Sequence, residues 1–189
     1  LEWLRGQAGK LLNPKRVPHV LGCESEAVKL AARWGEDAGD AAEAGILHDI
    51  TKRLDTAEQL ILCEKYGIIL DTLEKESSKL LHAKTGAMLA EDLFGVSPRV
   101  RDAIFWHTTA RAGMTLLEKI IYMADYIEPT RDFDGVDRLR ELAYKDLDEA
   151  MILGLEMSIE DISSRGIEPH PRSKEALDWF LRQEEKKNK

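Results

Sequence analysis

Five histidines stand at positions 19, 48, 82, 107 and 170. His19 follows RVP, His48 follows GIL, His82 follows KLL and His107 follows IFW. A lone helical histidine is usually a surface residue or a satisfied core group. Several on separate apolar helices instead predict interior rings that need polar partners. Asp49 and Asp125 lie in the same kind of setting, in LHDI and YMADYI. A buried carboxylate without compensation costs several kcal/mol, and a divalent or trivalent cation offsets that cost while gathering neutral imidazoles. Mixed nitrogen and oxygen donors suit iron, manganese or zinc better than magnesium or calcium. The doublet His48–Asp49 sets a geometric condition. Neighbours on a helix point about 100° apart, so both reach one ion only if it lies off the helix between their two directions.

Helices must carry these residues. In NPKR, Asn13 is a candidate N-cap with Pro14 at the first helical position. Pro18 then predicts that the helix bearing His19 begins there or is kinked. DAGDAAEAGILHD is Ala-rich and apolar enough for a buried central helix. DTAEQLILCEKYG opens with Asp55 and Glu58 in capping-box spacing and closes at Gly67. IILDTLEKESS is the least regular stretch, and Ser78 is read as the cap of the next helix, KLLHAKTGAMLAEDLFG. Ser97 and Pro98 start the helix that leads to His107, and TLLEKIIYMADYIEP is apolar-periodic up to Pro129. Residues 136–165 are amphipathic, with a break near Lys145 and Asp146 and a stop at Gly166. A last helix, RSKEALDWFLRQ, is expected to end in a frayed polar tail, EEKKNK. No stretch alternates with period two long enough for a sheet. The expectation is an all-α single domain, with a metal-binding core over residues 14–130 and C-terminal helices over 136–184 packed on it.

The net charge is −8 and the isoelectric point is near 5.2, which argues against nonspecific binding to nucleic acid. A small anion is still admissible, because a few local cations or a metal override the global field. The apolar runs stop short of the ~18 residues a membrane span requires, and the N-terminus has no signal-peptide pattern. Cys23 and Cys63 lie in unrelated contexts and read as reduced, partly buried thiols of a cytoplasmic protein.

The order His19, then His48-Asp49, then Asp125 resembles the H…HD…D signature of HD-domain metal-dependent phosphohydrolases, an all-α family of helical bundles. AGILHDITK and IIYMADYIEPTRDFDGVDRLRELAYKDLDEAM are similar to the YqeK-type branch, the symmetrical bis(5′-nucleosyl)-tetraphosphatases. So are LLHAKTGA, AIFWHTT and IEPHP. The resemblance implies iron, as one or two ions with manganese or another divalent metal admissible in its place, held by His19, His48, Asp49 and Asp125. It implies diadenosine tetraphosphate as substrate, cleaved symmetrically to two ADP. His82 and His107 then complete a second metal site with Asp49 bridging, bind substrate phosphate, or protonate the leaving ADP.

Cations for the polyphosphate are expected from Lys52, one helical turn beyond His48, and from Arg131, on the loop after Pro129. Arg16 joins them, three residues before His19. His170, in the two-proline loop GIEPHP, is expected to close over the nucleotide. Trp106 is the tryptophan to test for adenine contact. The nucleotide is the expected partner, without nucleic acid or membrane, and a homodimer is admissible. Rival readings keep the fold but change the chemistry. They are hydrolysis of a nucleoside monophosphate, a deoxynucleotide or a guanosine alarmone, dioxygen activation at a di-iron centre, or non-catalytic nucleotide sensing.

Overall fold

The structure is a computed structural model and describes residues 1–187. Among the described residues it is helical without strands, in the order α1 (Glu2–Leu11), a 3-10 turn (Pro14–Arg16), α2 (Val17–Trp34), α3 (Ala38–Leu47), α4 (Thr56–Lys65), α5 (Thr72–Lys75), α6 (Ser78–Phe94), α7 (Pro98–Phe105), α8 (Leu116–Ile127), α9 (Val136–Lys145), α10 (Leu147–Ser164) and α11 (Pro171–Lys187). None of these helices is long and apolar enough to cross a membrane.

Local chemistry sets the boundaries. Asn13 caps the 3-10 turn, its side chain accepting from Lys15 N at 3.1 Å. Pro18 does not start α2, which begins at Val17. It occupies the second helical position, where no intrahelical N–H is required. Capping boxes open α4 (Asp55 with Glu58), α5 (Asp71 with Glu74) and α8 (Thr115 with Glu118). Ser97 caps α7 ahead of Pro98, and Asp146 caps α10 at the expected break. At α6 the cap position belongs to Ser77, without a side-chain bond, and Ser78 is already helical. Two features differ further from the pattern-based reading. Residues 2–11 form a helix, and α11 continues through the polar tail to Lys187, whose ammonium binds Asp148 at 3.0 Å. The last two residues of that tail lie outside the described residues.

The core runs through the molecule from Leu4 to Phe180, with Leu30, Ile46, Leu47, Ile104, Ile120, Ile121 and Met123 fully buried. The packing of α3 against α2 matters most for function. The α3 sequence AGDAAEAGIL is mostly small residues, and a Cβ at Gly45 would sit 2.8 Å from Glu24 Cα. Only glycine permits that approach, which sets the His19 helix beside the end of the His48 helix. The C-terminal helices lie on α2 and α8. Trp34 Nε1 donates to Ala143 O at 2.9 Å, and Tyr144 OH donates to Glu26 Oε1 at 2.7 Å. Both cysteines are buried free thiols.

Candidate metal centre

Four imidazoles and two carboxylates meet in the space enclosed by α2, α3, α6, α7 and α8. His19 and His82 lie within helices α2 and α6, whereas His48 and His107 stand just past the C-terminal ends of α3 and α7. That placement departs from a helical position for all four. The last carbonyls of a helix lack full helical partners, and these two rings use them. His48 Nδ1–H donates to Gly45 O at 2.8 Å, and His107 Nδ1–H donates to Ile104 O at 2.6 Å. Asp49 follows in a tight turn, so the doublet is not constrained by helical 100° steps. His19 Nδ1–H donates to Glu128 Oε1 at 3.0 Å. These three tautomers, assigned from the hydrogen-bond network, leave Nε2 lone pairs facing inward.

Two groups of donors result, joined by one residue. His19 Nε2 and His48 Nε2 lie 3.2 Å apart, with Asp125 Oδ1 at 3.1 and 3.7 Å and Asp49 Oδ2 at 3.6 and 3.5 Å respectively. His82 Nε2 and His107 Nε2 lie 3.1 Å apart, with Asp49 Oδ1 at 3.1 and 3.9 Å. Asp49 is 1% exposed and its Oδ1 has no hydrogen-bond partner; His82 Nδ1 is likewise buried without one. With Nδ1 of both rings donating to their own partners, His19 and His48 face each other through Nε2 at 3.2 Å, and a buried carboxylate oxygen is unpaired beside a second imidazole pair. The donor set fits a divalent cation: His19, His48 and Asp125, and likewise His48, Asp49 and His107, each bring three ligand atoms within 4.8 Å of one another, and the mix of nitrogen and oxygen suits a transition metal.

Burial alone raises the Asp49 carboxyl, but His48, His82 and Lys52 reverse the sign and hold it well below the usual carboxylate range. Burial likewise raises Asp125, and its bond to His19 with the charges of His48 and Arg131 brings it well below. Burial pushes His82 down and His107 far down, towards the neutral form a metal ligand needs. His48 alone moves up: burial opposes its charge, yet Cys23 and Asp49 outweigh burial. The cluster attracts positive charge at its middle.

Cations line the open side, each about a third exposed. Arg16 Nε donates to Asp49 Oδ2 at 2.7 Å, and Arg131 donates through Nη2 to Asp125 Oδ1 at 2.6 Å and through Nε to Asp125 O at 2.8 Å. Lys52 Nζ is 3.0 Å from His82 Nε2 and 3.7 Å from Asp49 Oδ1. Lys52 arrives through consecutive turns rather than along a shared helical face, since α3 ends at Leu47; its backbone N bonds Asp49 O at 2.9 Å. Beside Arg16 and Lys52 a cavity of about 340 Å³ is lined also by Leu12, Asn13, Lys15 and Arg53.

His170 makes its contacts elsewhere. Its Nε2 is 2.8 Å from Asp71 Oδ2 at the start of α5, and its Nδ1 accepts from Arg172 N at 3.2 Å. Both ring nitrogens are engaged, and these contacts tie the loop to α5. The Trp106 ring lies under the guanidinium groups of Arg172 and Arg111, at 5.3 and 5.7 Å from its centroid.

Sequence reasoning missed Glu128, Lys15 and Arg53. A signal for Glu128 did exist. An acid at a helix C-terminus opposes the helix dipole, so its presence in YIEPT calls for a compensating partner.

Comparison with known proteins places this geometry. The HD domain family matches residues 16–130. The chain is 38% identical over 174 residues to the symmetrical bis(5′-nucleosyl)-tetraphosphatase of Bacillus subtilis, covering 90% of this chain and 91% of that one. It is 40% identical over 156 residues to the protein of the same name from Halalkalibacterium halodurans, covering 80% and 83%. A crystal structure from Clostridium acetobutylicum, described as a predicted HD superfamily hydrolase involved in NAD metabolism, superposes with a TM-score of 0.93 at 37% identity. That match covers 96% of this chain and 97% of the other. The chain belongs to the HD-domain family, in the branch of the symmetrical bis(5′-nucleosyl)-tetraphosphatases.

Proposed function

We propose that this chain hydrolyses diadenosine tetraphosphate symmetrically to two ADP, at a centre held by His19, His48, Asp49 and Asp125, with His82 and His107 completing the donor set of a second ion. The observation that carries the reading is the shared carboxylate. Asp49 turns Oδ2 to one imidazole pair and Oδ1 to the other, in a chain similar over nine-tenths of its length to a symmetrical tetraphosphatase. Iron is the metal we assign, with manganese or another divalent ion able to replace it. Bound there, a metal supplies Lewis acidity and lowers the pKa of coordinated water towards ~7.

The chain's own residues do the remainder. His48 and His107 keep their Nδ1 protons on helix carbonyls, so their Nε2 lone pairs stay aimed inward throughout turnover. Arg131 and Arg16 present planar guanidinium forks that match phosphoryl oxygens, and Lys52 adds a point charge. The cavity bounded by Lys15, Arg16, Lys52 and Arg53 receives the outer part of the polyphosphate. In a molecule of net charge −8 this local concentration of cations steers an anion that the overall field repels. A terminal phosphate has its second pKa near ~6, so ADP departs as an anion whose charge these side chains offset. A proton from His82 or His107 is not required. His170 acts as a pin for the loop before α11.

The test is product identification with metal-loaded enzyme offered a nucleotide panel: diadenosine tetraphosphate, nucleoside monophosphates, deoxynucleoside triphosphates and a guanosine alarmone. ADP as the sole product of the first, with slower turnover of the others, is the expected result. AMP plus ATP from the first, or faster turnover of another nucleotide, overturns the assignment.

A further inference from the structure

Glu128 is fully buried and stands behind the His19 ring, offering no oxygen to either inward-facing donor group. It sits at the C-terminal end of α8, where the helix dipole disfavours an acid. Its two oxygens are nevertheless fully engaged. Oε1 accepts from His19 Nδ1–H at 3.0 Å and from the Thr130 hydroxyl, while Oε2 accepts from Thr130 N at 2.7 Å. Arg131 Nε is 3.8 Å from Oε1. Arg140 holds the surrounding main chain by donating to Ile127 O, Glu128 O and Arg131 O at 2.9, 3.0 and 2.8 Å.

A second observation comes from α2. Gly22 lies inside that helix, where glycine costs about 1 kcal/mol relative to alanine. A Cβ at Gly22 would overlap Glu128 Oε2 and come within 3.3 Å of its Cδ. The helix that carries His19 thus opens a slot, one turn further along, for the carboxylate that binds His19. From the other side, Asp125 and Glu128 are three residues apart, so the end of α8 supplies both an inward carboxylate and the partner of the His19 ring.

We infer that Glu128 is the positioning residue of the His19 half of the centre, fixing the ring's tautomer and plane through Nδ1–H, and that Gly22 is glycine in order to admit it. A carboxylate behind a ligating imidazole also raises its basicity, and losing such a partner lowers metal affinity roughly 10–100-fold. This rests on the metal reading above. The same carboxylate bonds the Thr130 backbone next to Arg131, so it ties the ring to the loop that carries the phosphate-gripping arginine.

The test uses the full chain stripped of metal and titrated with cobalt(II), whose visible absorption reports the ligand field. The variants are Glu128→Gln and Gly22→Ala. Glutamine preserves volume but has one oxygen where two are used, so its NH₂ must face either His19 Nδ1–H or Thr130 N–H, donor against donor. The alanine displaces the carboxylate without removing it. Both variants should bind one equivalent of cobalt about 10–100-fold more weakly than wild type, with an altered spectrum. The metal-free melting temperature should stay within a few degrees of wild type. Wild-type cobalt affinity and spectrum in both variants would overturn the inference. So would a Glu128→Gln protein that fails to fold without metal, because the residue would then be structural. Absence of cobalt binding by wild type itself refutes the metal reading, and this inference falls with it.

Discussion

Replacing Asp49 by asparagine preserves side-chain volume and removes one negative charge from between the two imidazole pairs. Asp49 is 1% exposed and accepts from Arg16 at 2.6–2.7 Å. Breaking a buried ion pair by removing one partner costs about 3–5 kcal/mol. Arg16 keeps roughly a third of its side-chain surface and can turn to water, so we expect less, about 1–2 kcal/mol in the metal-free protein. At this chain length each kcal/mol moves the melting temperature by roughly 2–4 °C, which gives a fall of about 2–8 °C. The effect on metal is larger, because both donor groups lose an anionic oxygen together. Lewis-acid and water activation together are worth several kcal/mol; losing about 4 kcal/mol corresponds to ~10³-fold in turnover. The assay combines elemental analysis after desalting, ADP release from diadenosine tetraphosphate, and thermal melts with and without a chelator. Wild type should lose stability on chelation, and the variant should show little further change. A variant that retains wild-type metal content and turns over within tenfold of wild type would refute the bridging role.

Arg131→Ala removes charge-assisted bonds worth about 1.5–3 kcal/mol each; steady-state kinetics should show KM raised ~10–100-fold while metal content measured by elemental analysis holds. Gly45→Ala forces α2 and α3 apart at a backbone contact, so chemical denaturation should show a loss of about 1–3 kcal/mol, accompanied by weaker metal retention. In the metal-free protein, Asp49 and Asp125 titrate well below their ordinary value of 3.8. A carboxylate depressed in this way favours folding at every pH above its unfolded value, and that contribution is lost as pH falls through the folded value. Denaturation curves collected below about pH 4 should therefore be less pH-dependent for Asp125→Asn than for wild type, and equal slopes would contradict the depressed value.

The parts of this molecule legible in the sequence were those governed by local rules. Capping spacings such as Asp55 with Glu58 and the Ser97–Pro98 start signal act within four residues, and the structure follows them. The burial of the four imidazoles was legible because a histidine behind GIL or IFW has few inexpensive fates. What stayed hidden depends on contacts between distant segments. No spacing rule indicates that His48 and His107 stand beyond their helices, because that depends on their Nδ1 protons capturing carbonyls of the last turn. His170 gave the same local impression as the four clustered histidines, yet Asp71, ninety-nine residues away, engages it. Glu128 is the most instructive case. Read alone it is a misplaced acid at a helix end, and Gly22 is a weak point in a helix. Each residue is unfavourable by its own propensity, and the two make sense only as a pair: α2 gives up a side chain so that α8 can place a carboxylate behind His19. Where two local violations meet in space at a ligand, the stability forgone is the sign that the position is held for function rather than for folding.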